Sequence, residues 1–154
     1  MRKIFLFLRR YPLTTILVIT IWILCFISIP KTPLDKVTLI DKWTHITMYL
    51  SLCLAIILET VIIPIIKDKR DIKATSIITD TSKKEINMKR WSTFSISFLL
   101  PLFMGGLIEI FQANFTNGRR NGDWYDFYAD GLGVVLAQII GILSVWFLST
   151  RKKD

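Results

Sequence analysis

The chain contains four apolar stretches, and each of them is long enough to cross a lipid bilayer. Each holds close to the ~20 residues with which a helix spans a hydrocarbon core of ~30 Å. Hydrophobic residues make up 52% of the chain and run together, which is typical of a membrane protein. We therefore expect an all-α, polytopic membrane protein, with a four-transmembrane-helix bundle formed by the single domain 1–154. Its predicted spans lie at about residues 13–30, 46–66, 94–113 and 128–148.

Lysine and arginine residues are distributed unevenly between the two sides of this predicted bundle. The chain has 20 of them, and the two loops on one side hold only Lys31, Lys36, Lys42, Arg119 and Arg120. The positive-inside rule then predicts that both termini and the loop at residues 67–90 lie in the cytoplasm. The basic residues that give the net charge of +8 thus set the topology and contact anionic lipid. We therefore expect no nucleic-acid partner.

The predicted cytoplasmic loop at residues 67–90 is polar, mixed in charge and rich in Ser and Thr. Its stretch from Asp80 to Glu85 has the residue types of a helix cap and could begin a short helix at the membrane surface. A flexible linker is the favoured interpretation, because the loop has few apolar residues to bury.

Polar and ionisable residues gather at one end of three predicted spans. Under the predicted orientation, all three ends face away from the cytoplasm. Ionisable groups at a membrane boundary cost free energy, so they usually mark a site or a binding surface. The candidate site residues are Asp41, Lys42, His45 and Tyr49 at the second span, Glu109 and Gln112 at the third, and Arg119, Arg120, Asp123, Asp126 and Asp130 at the fourth.

The spacing of these residues predicts shared helix faces. Asp41, His45 and Tyr49 are four residues apart, so they form one stripe on a helix that begins near Asp41. A simpler interpretation is open for Asp41 and Asp126, because the helix dipole favours acidic residues at helix N-termini. Both could be ordinary caps.

Glu109 lies deep in apolar sequence, where a carboxylate needs a partner or stays protonated. Arg119, Arg120 and His45 are the candidate partners. A structural ion pair between helices is the alternative to a functional role. Glu59, in the second span, has no obvious partner in the sequence.

Small residues recur every four positions in the fourth span, a pattern suited to close helix packing. We expect this stripe to face Gly105 and Gly106 and to bring Glu109 close to Asp130. The stripe consists of Ala129, Gly133, Ala137 and Gly141.

Two motifs together resemble the VanZ-like membrane protein family, over roughly residues 35–145. In the second motif the family often has Asn where this chain has Asp130, which adds a negative charge here. The spacing to Asp126 favours Arg120 over Arg119 as the motif arginine. The motifs are Asp41-Lys42-x-x-His45-x-x-x-Tyr49, and Gly106-Leu-Ile-Glu109-x-x-Gln112 followed by Gly-Arg and Asp126-x-x-Ala129-Asp130-x-x-Gly133.

This resemblance implies a protein of the bacterial cell envelope that is linked to low-level teicoplanin resistance. It implies no mechanism. Glycopeptides act on wall precursors outside the membrane, which agrees with a polar site on the extracytoplasmic side.

Four functions are compatible with these residues. The first is binding of a membrane lipid or a lipid-linked wall precursor, since the guanidinium groups of Arg119 and Arg120 suit phosphate. The second is a membrane-embedded hydrolase or transferase acting on a lipid-linked phosphate or ester, with His45, Glu109 and Asp126 as catalytic candidates. The others are a small transporter that uses Glu59 and Glu109, and a structural partner of envelope proteins.

The sequence does not identify a cofactor. A divalent cation is compatible with the oxygen ligands of Asp41, Glu109, Asp123 and Asp126 together with His45. The metal, the substrate and the oligomeric state stay open at this point.

Overall fold

The structure, a computed structural model, describes residues 8–27, 39–72, 80–115 and 124–150. These residues are almost entirely helical, and no strand occurs among them. A π-helical turn at Leu58–Ile62 joins α2 directly to α3. The helices are α1 (Pro12–Phe26), α2 (Ile40–Ile57), α3 (Ile63–Ile72), α4 (Asp80–Phe115) and α5 (Trp124–Thr150).

Among the residues that the structure describes, three helical stretches are long and apolar enough to cross a membrane: Ile40–Lys67, Ser92–Phe115 and Trp124–Leu148. They confirm the all-α prediction and the prediction of several membrane-length helices. The fourth apolar helix, Pro12–Phe26, has 15 residues and is shorter than the predicted first span. At about 1.5 Å per residue it extends roughly 22 Å, less than the ~30 Å of a hydrocarbon core.

The polar segment after the second span is helical in its described parts. Helix α3 continues to Ile72, and α4 begins at Asp80, well before its membrane-length part starts at Ser92. Residues 73–79 lie outside the described residues. The favoured linker interpretation is therefore wrong for residues 80–90, which form the first turns of a long helix and not the short helix of the other interpretation.

The most extensive helix contact is between α2 and α5. A Cβ atom added to Gly133 would lie 2.4 Å from the carbonyl oxygen of Ile46 and 3.0 Å from the amide nitrogen of Leu50. One added to Gly141 would lie 2.8 Å from the Ile57 side chain. The small-residue stripe thus packs mainly on the second predicted span, whereas the sequence led us to expect the third.

A set of polar side chains ties three helices together. Pro101 lies inside α4 and has no N–H, so it cannot donate to the Ser97 carbonyl one turn earlier. The thiol of Cys53 on α2 takes that place, with its sulfur 3.3 Å from the Ser97 oxygen. The Gln138 amide on α5 donates to the Ser97 hydroxyl at 2.9 Å.

Glu59 acts as a cap supplied from a distant part of the chain. Helix α1 begins with Pro12, and no side chain at its own N-cap bonds to its free N–H groups. The Glu59 carboxylate accepts hydrogen bonds from the backbone N–H groups of Leu13 and Thr14, at 2.8 and 3.1 Å. It accepts a third from the Thr14 hydroxyl, at 2.7 Å. Glu59 is buried, and its negative charge suits the positive end of the helix dipole.

Candidate functional site

The candidate site lies where the N-terminal parts of α2 and α5 meet the C-terminal part of α4. Because α2 and α5 pack in parallel, their N-terminal turns lie at the same end of the bundle. Helix α4 runs in the opposite direction and ends there. We call the group formed at this end the polar cluster: Lys42, His45, Tyr49, Glu109, Asp126 and Asp130.

His45 lies between two carboxylates. Its Nδ1 atom is 2.8 Å from Oδ1 of Asp130, and its Nε2 atom is 4.0 Å from Oδ2 of Asp126. His45 and Asp130 are 2% and 1% exposed. When Nδ1 carries the proton and donates it to Asp130, Nε2 has a lone pair for a proton or a ligand.

Asp126 contacts a second helix, which a helix cap alone would not do. One of its carboxylate oxygens forms an ion pair with the ammonium group of Lys42 on α2. The ammonium also lies 3.9 Å from Asp41, whose side chain is 58% exposed at the rim of the cluster. The contact with Lys42 adds an interhelical role to Asp126, while the exposed Asp41 fits the simpler dipole interpretation.

The inner part of the polar cluster surrounds Gly105 on α4. A Cβ atom added there would lie 2.6 Å from Oδ2 of Asp130 and 3.3 Å from the Tyr49 hydroxyl. The missing side chain of Gly105 therefore gives these two groups room to approach α4. The Tyr49 side chain is fully buried, and its hydroxyl has no hydrogen-bond partner among the described residues.

In the described part of the chain, two sets of three side chains bring possible metal-ligating atoms within 4.8 Å of one another, and His45 belongs to both. The outer set adds Asp41 and Asp126, and the inner set adds Glu109 and Asp130. The expected proximity of Glu109 and Asp130 is therefore present, and both are buried. Such a group of imidazole and carboxylates can hold a cation or move a proton.

Gln112 is a further sequence candidate on α4. The Gln112 amide donates to the Cys25 carbonyl at 2.8 Å and so ties α4 to the last turn of α1. Arg119, Arg120 and Asp123 lie outside the described residues. The position of each arginine relative to Glu109 thus stays a prediction.

Sequence reasoning missed three features that shape the site and its support. It assigned Gly105 to helix packing, although this residue makes room for Asp130. It did not single out Ser97 or Gln138, although polar residues within apolar spans are a signal of buried contacts. No local signal indicates that Glu59 caps a helix 45 residues earlier in the chain.

Comparisons with family models, with curated proteins and with solved structures find no match to this chain. The functional interpretation therefore rests on the geometry of the site together with the resemblance of the two motifs.

Proposed function

We propose that this chain is a VanZ-like protein of the bacterial cytoplasmic membrane whose polar cluster binds a lipid or a lipid-linked wall component. The observation that carries the proposal is the convergence of buried ionisable groups from three membrane-length helices at one end of the bundle. Burying such groups is costly, so a protein keeps them where they serve a site. A link to low-level teicoplanin resistance follows from the motif resemblance.

In the proposed topology, α1 is part of a fourth span and both termini are cytoplasmic. Two contacts support a crossing by α1, since its first turn binds Glu59 and its last turn binds Gln112. The helix thus extends alongside the others from the end of the bundle that contains Glu59 to the end that contains the polar cluster. The distribution of Lys and Arg favours the orientation in which the polar cluster faces outward.

An apolar groove beside this end of the bundle suits the acyl chain of the same lipid. Four aromatic side chains of α1 and α4 line it: Trp22, Phe26, Phe111 and Phe115. Phe111 precedes Gln112, so the groove opens next to the polar end. Lys42, whose side chain is 23% exposed, offers a cation for an anionic head group, and Arg119 and Arg120 would add two more.

A binding measurement tests this function. The purified chain in nanodiscs is titrated with a lipid-linked pyrophosphate, and the same nanodiscs with a neutral lipid serve as the reference. We expect Asp126→Ala to weaken binding at least tenfold, because Asp126 holds the Lys42 ammonium group in position and joins α5 to α2. Asp41→Ala, which removes an exposed carboxylate at the rim, should change it less than twofold. Equal binding of both lipids by the wild type would contradict the proposal.

A second function, hydrolysis or group transfer on a lipid-linked phosphate or ester, is favoured by one observation. Asp130 orients His45 through Nδ1, which leaves Nε2 available as a general base. We expect His45→Ala to abolish turnover of such a substrate. Turnover that survives both His45→Ala and Asp126→Ala would exclude this enzyme.

A further inference from the structure

We propose that His45, Glu109 and Asp130 form a binding site for a divalent transition-metal ion, with the Tyr49 hydroxyl beside it. The three residues come from α2, α4 and α5, and their ligating atoms lie within 4.8 Å of one another. Ligands bound about 2.1 Å from a zinc ion lie roughly 3.4 Å apart. Metal binding would replace the proton that lies between Nδ1 of His45 and Oδ1 of Asp130, and small side-chain rotations would then complete the coordination.

The Tyr49 hydroxyl independently points to a ligand at this place. Buried hydroxyls nearly always have a hydrogen-bond partner, yet this one has none among the described residues. It approaches the same face of Gly105 as Oδ2 of Asp130. A water molecule bound to the metal would give the hydroxyl a partner, and such a water often completes the coordination of a metal with three protein ligands.

The inner set of ligands is better suited to a metal than the outer set. Asp126 in the outer set is already paired with Lys42, and Asp41 is largely exposed. Each of the three residues in the inner set is at most 9% exposed. A divalent ion bound there would offset the charges of both buried carboxylates, Glu109 and Asp130, at once.

The chemistry of the inner set indicates the class of ion. An imidazole nitrogen with two carboxylates suits Zn²⁺, Mn²⁺ or Fe²⁺ better than Mg²⁺ or Ca²⁺, which prefer oxygen ligands alone. Bound there, the ion would attract an anionic head group to a site otherwise made mostly of carboxylates. In that respect the inference rests on the proposed function, whereas metal binding itself is measured without any lipid.

Equilibrium dialysis of the full chain in detergent, followed by elemental analysis, measures this binding directly. After removal of metal with a chelator, the protein is dialysed against Zn²⁺, Mn²⁺ or Mg²⁺ in turn. We expect about one Zn²⁺ or Mn²⁺ per chain and at least tenfold weaker binding of Mg²⁺. Asp130→Asn and Glu109→Gln should each weaken binding at least tenfold. Asp41→Asn, the matched change in the outer set, should alter it less than twofold.

Thermal unfolding of the same samples shows whether each variant is folded and whether the metal stabilises it. We expect the metal to raise the Tm of the wild type and of Asp41→Asn, but not that of folded Asp130→Asn or Glu109→Gln. Folded wild-type protein that binds no ion would overturn the inference. So would binding lost in Asp41→Asn and kept in both inner variants. Lipid binding without metal binding would overturn this inference alone, whereas metal binding without lipid binding would overturn only the proposed function.

Discussion

At the scale of single residues, the centre of the polar cluster is the pair formed by His45 and Asp130, each of which uses one side-chain atom to contact the other. Asp130 holds His45 with Oδ1, while its Oδ2 faces Gly105. His45 keeps Nε2 available near Asp126. This arrangement needs a glycine at residue 105, because any side chain there would occupy the place of the carboxylate.

Gly105→Ala should therefore damage the site, while its neighbour provides a control. The new Cβ atom would lie 2.6 Å from Asp130 Oδ2 and force the carboxylate away from Tyr49. We expect lipid or metal binding to fall at least tenfold and stability to fall by about 1–3 kcal/mol. In Gly106→Ala the nearest atom is 3.5 Å away, on the ring of Phe127, so binding should stay within twofold. Equal effects of the two substitutions would contradict this role for Gly105.

Glu59 provides a second prediction at this scale. Glu59→Gln keeps an acceptor for the start of α1 but loses the negative charge, so we expect a loss of about 1 kcal/mol in unfolding free energy. Thermal unfolding in detergent measures it, and ligand binding at the polar cluster should not change. An unchanged Tm together with a lost transport activity would instead favour the transporter hypothesis.

At the scale of helices, close contact between α2 and α5 determines which of their polar residues lie opposite each other. Gly133 brings the two backbones together one turn after Asp130, and Ile46 directly follows His45. A change that separates these backbones should therefore also separate His45 from Asp130.

Gly133→Ala tests this coupling. Its Cβ atom would meet the backbone of Ile46 and Leu50, which cannot move as a side chain can. We expect a loss of about 3 kcal/mol in stability and a loss of binding at the polar cluster. Gly131→Ala is the matched control, because its Cβ atom would lie at an ordinary 3.6 Å from Leu102. A Gly133→Ala protein with wild-type Tm would contradict the close approach.

At the scale of the whole molecule, hydropathy and spacing predict the helices well but predict their partners poorly. Periodicity identified the small-residue face of α5, yet any of three other apolar helices could pack against it. Proximity of Glu109 to Asp130 was expected from both lying at one end of their spans. The pairing of His45 with Asp130, 85 residues apart, and the Glu59 cap depend on tertiary packing, which one sequence does not encode locally.

The topology of the chain yields a prediction at this scale. Single cysteines introduced as Lys3→Cys, Ser76→Cys and Gly118→Cys are treated in intact cells with a thiol reagent that cannot cross membranes. We expect labelling of Gly118→Cys alone, because the other two should be cytoplasmic. The native Cys25 and Cys53 are buried and should give little background. Labelling of Lys3→Cys would show that α1 does not contribute a fourth span.

Teicoplanin susceptibility in a sensitive Gram-positive host tests the central claim, that the polar cluster acts on the cell envelope. The comparison includes empty vector, the wild type, Asp126→Ala and Asp41→Asn, all three proteins matched for membrane level. We expect the wild type and Asp41→Asn to raise tolerance, and Asp126→Ala to give the value of the empty vector. Equal tolerance with the wild type and Asp126→Ala, or with the wild type and empty vector, would contradict the account.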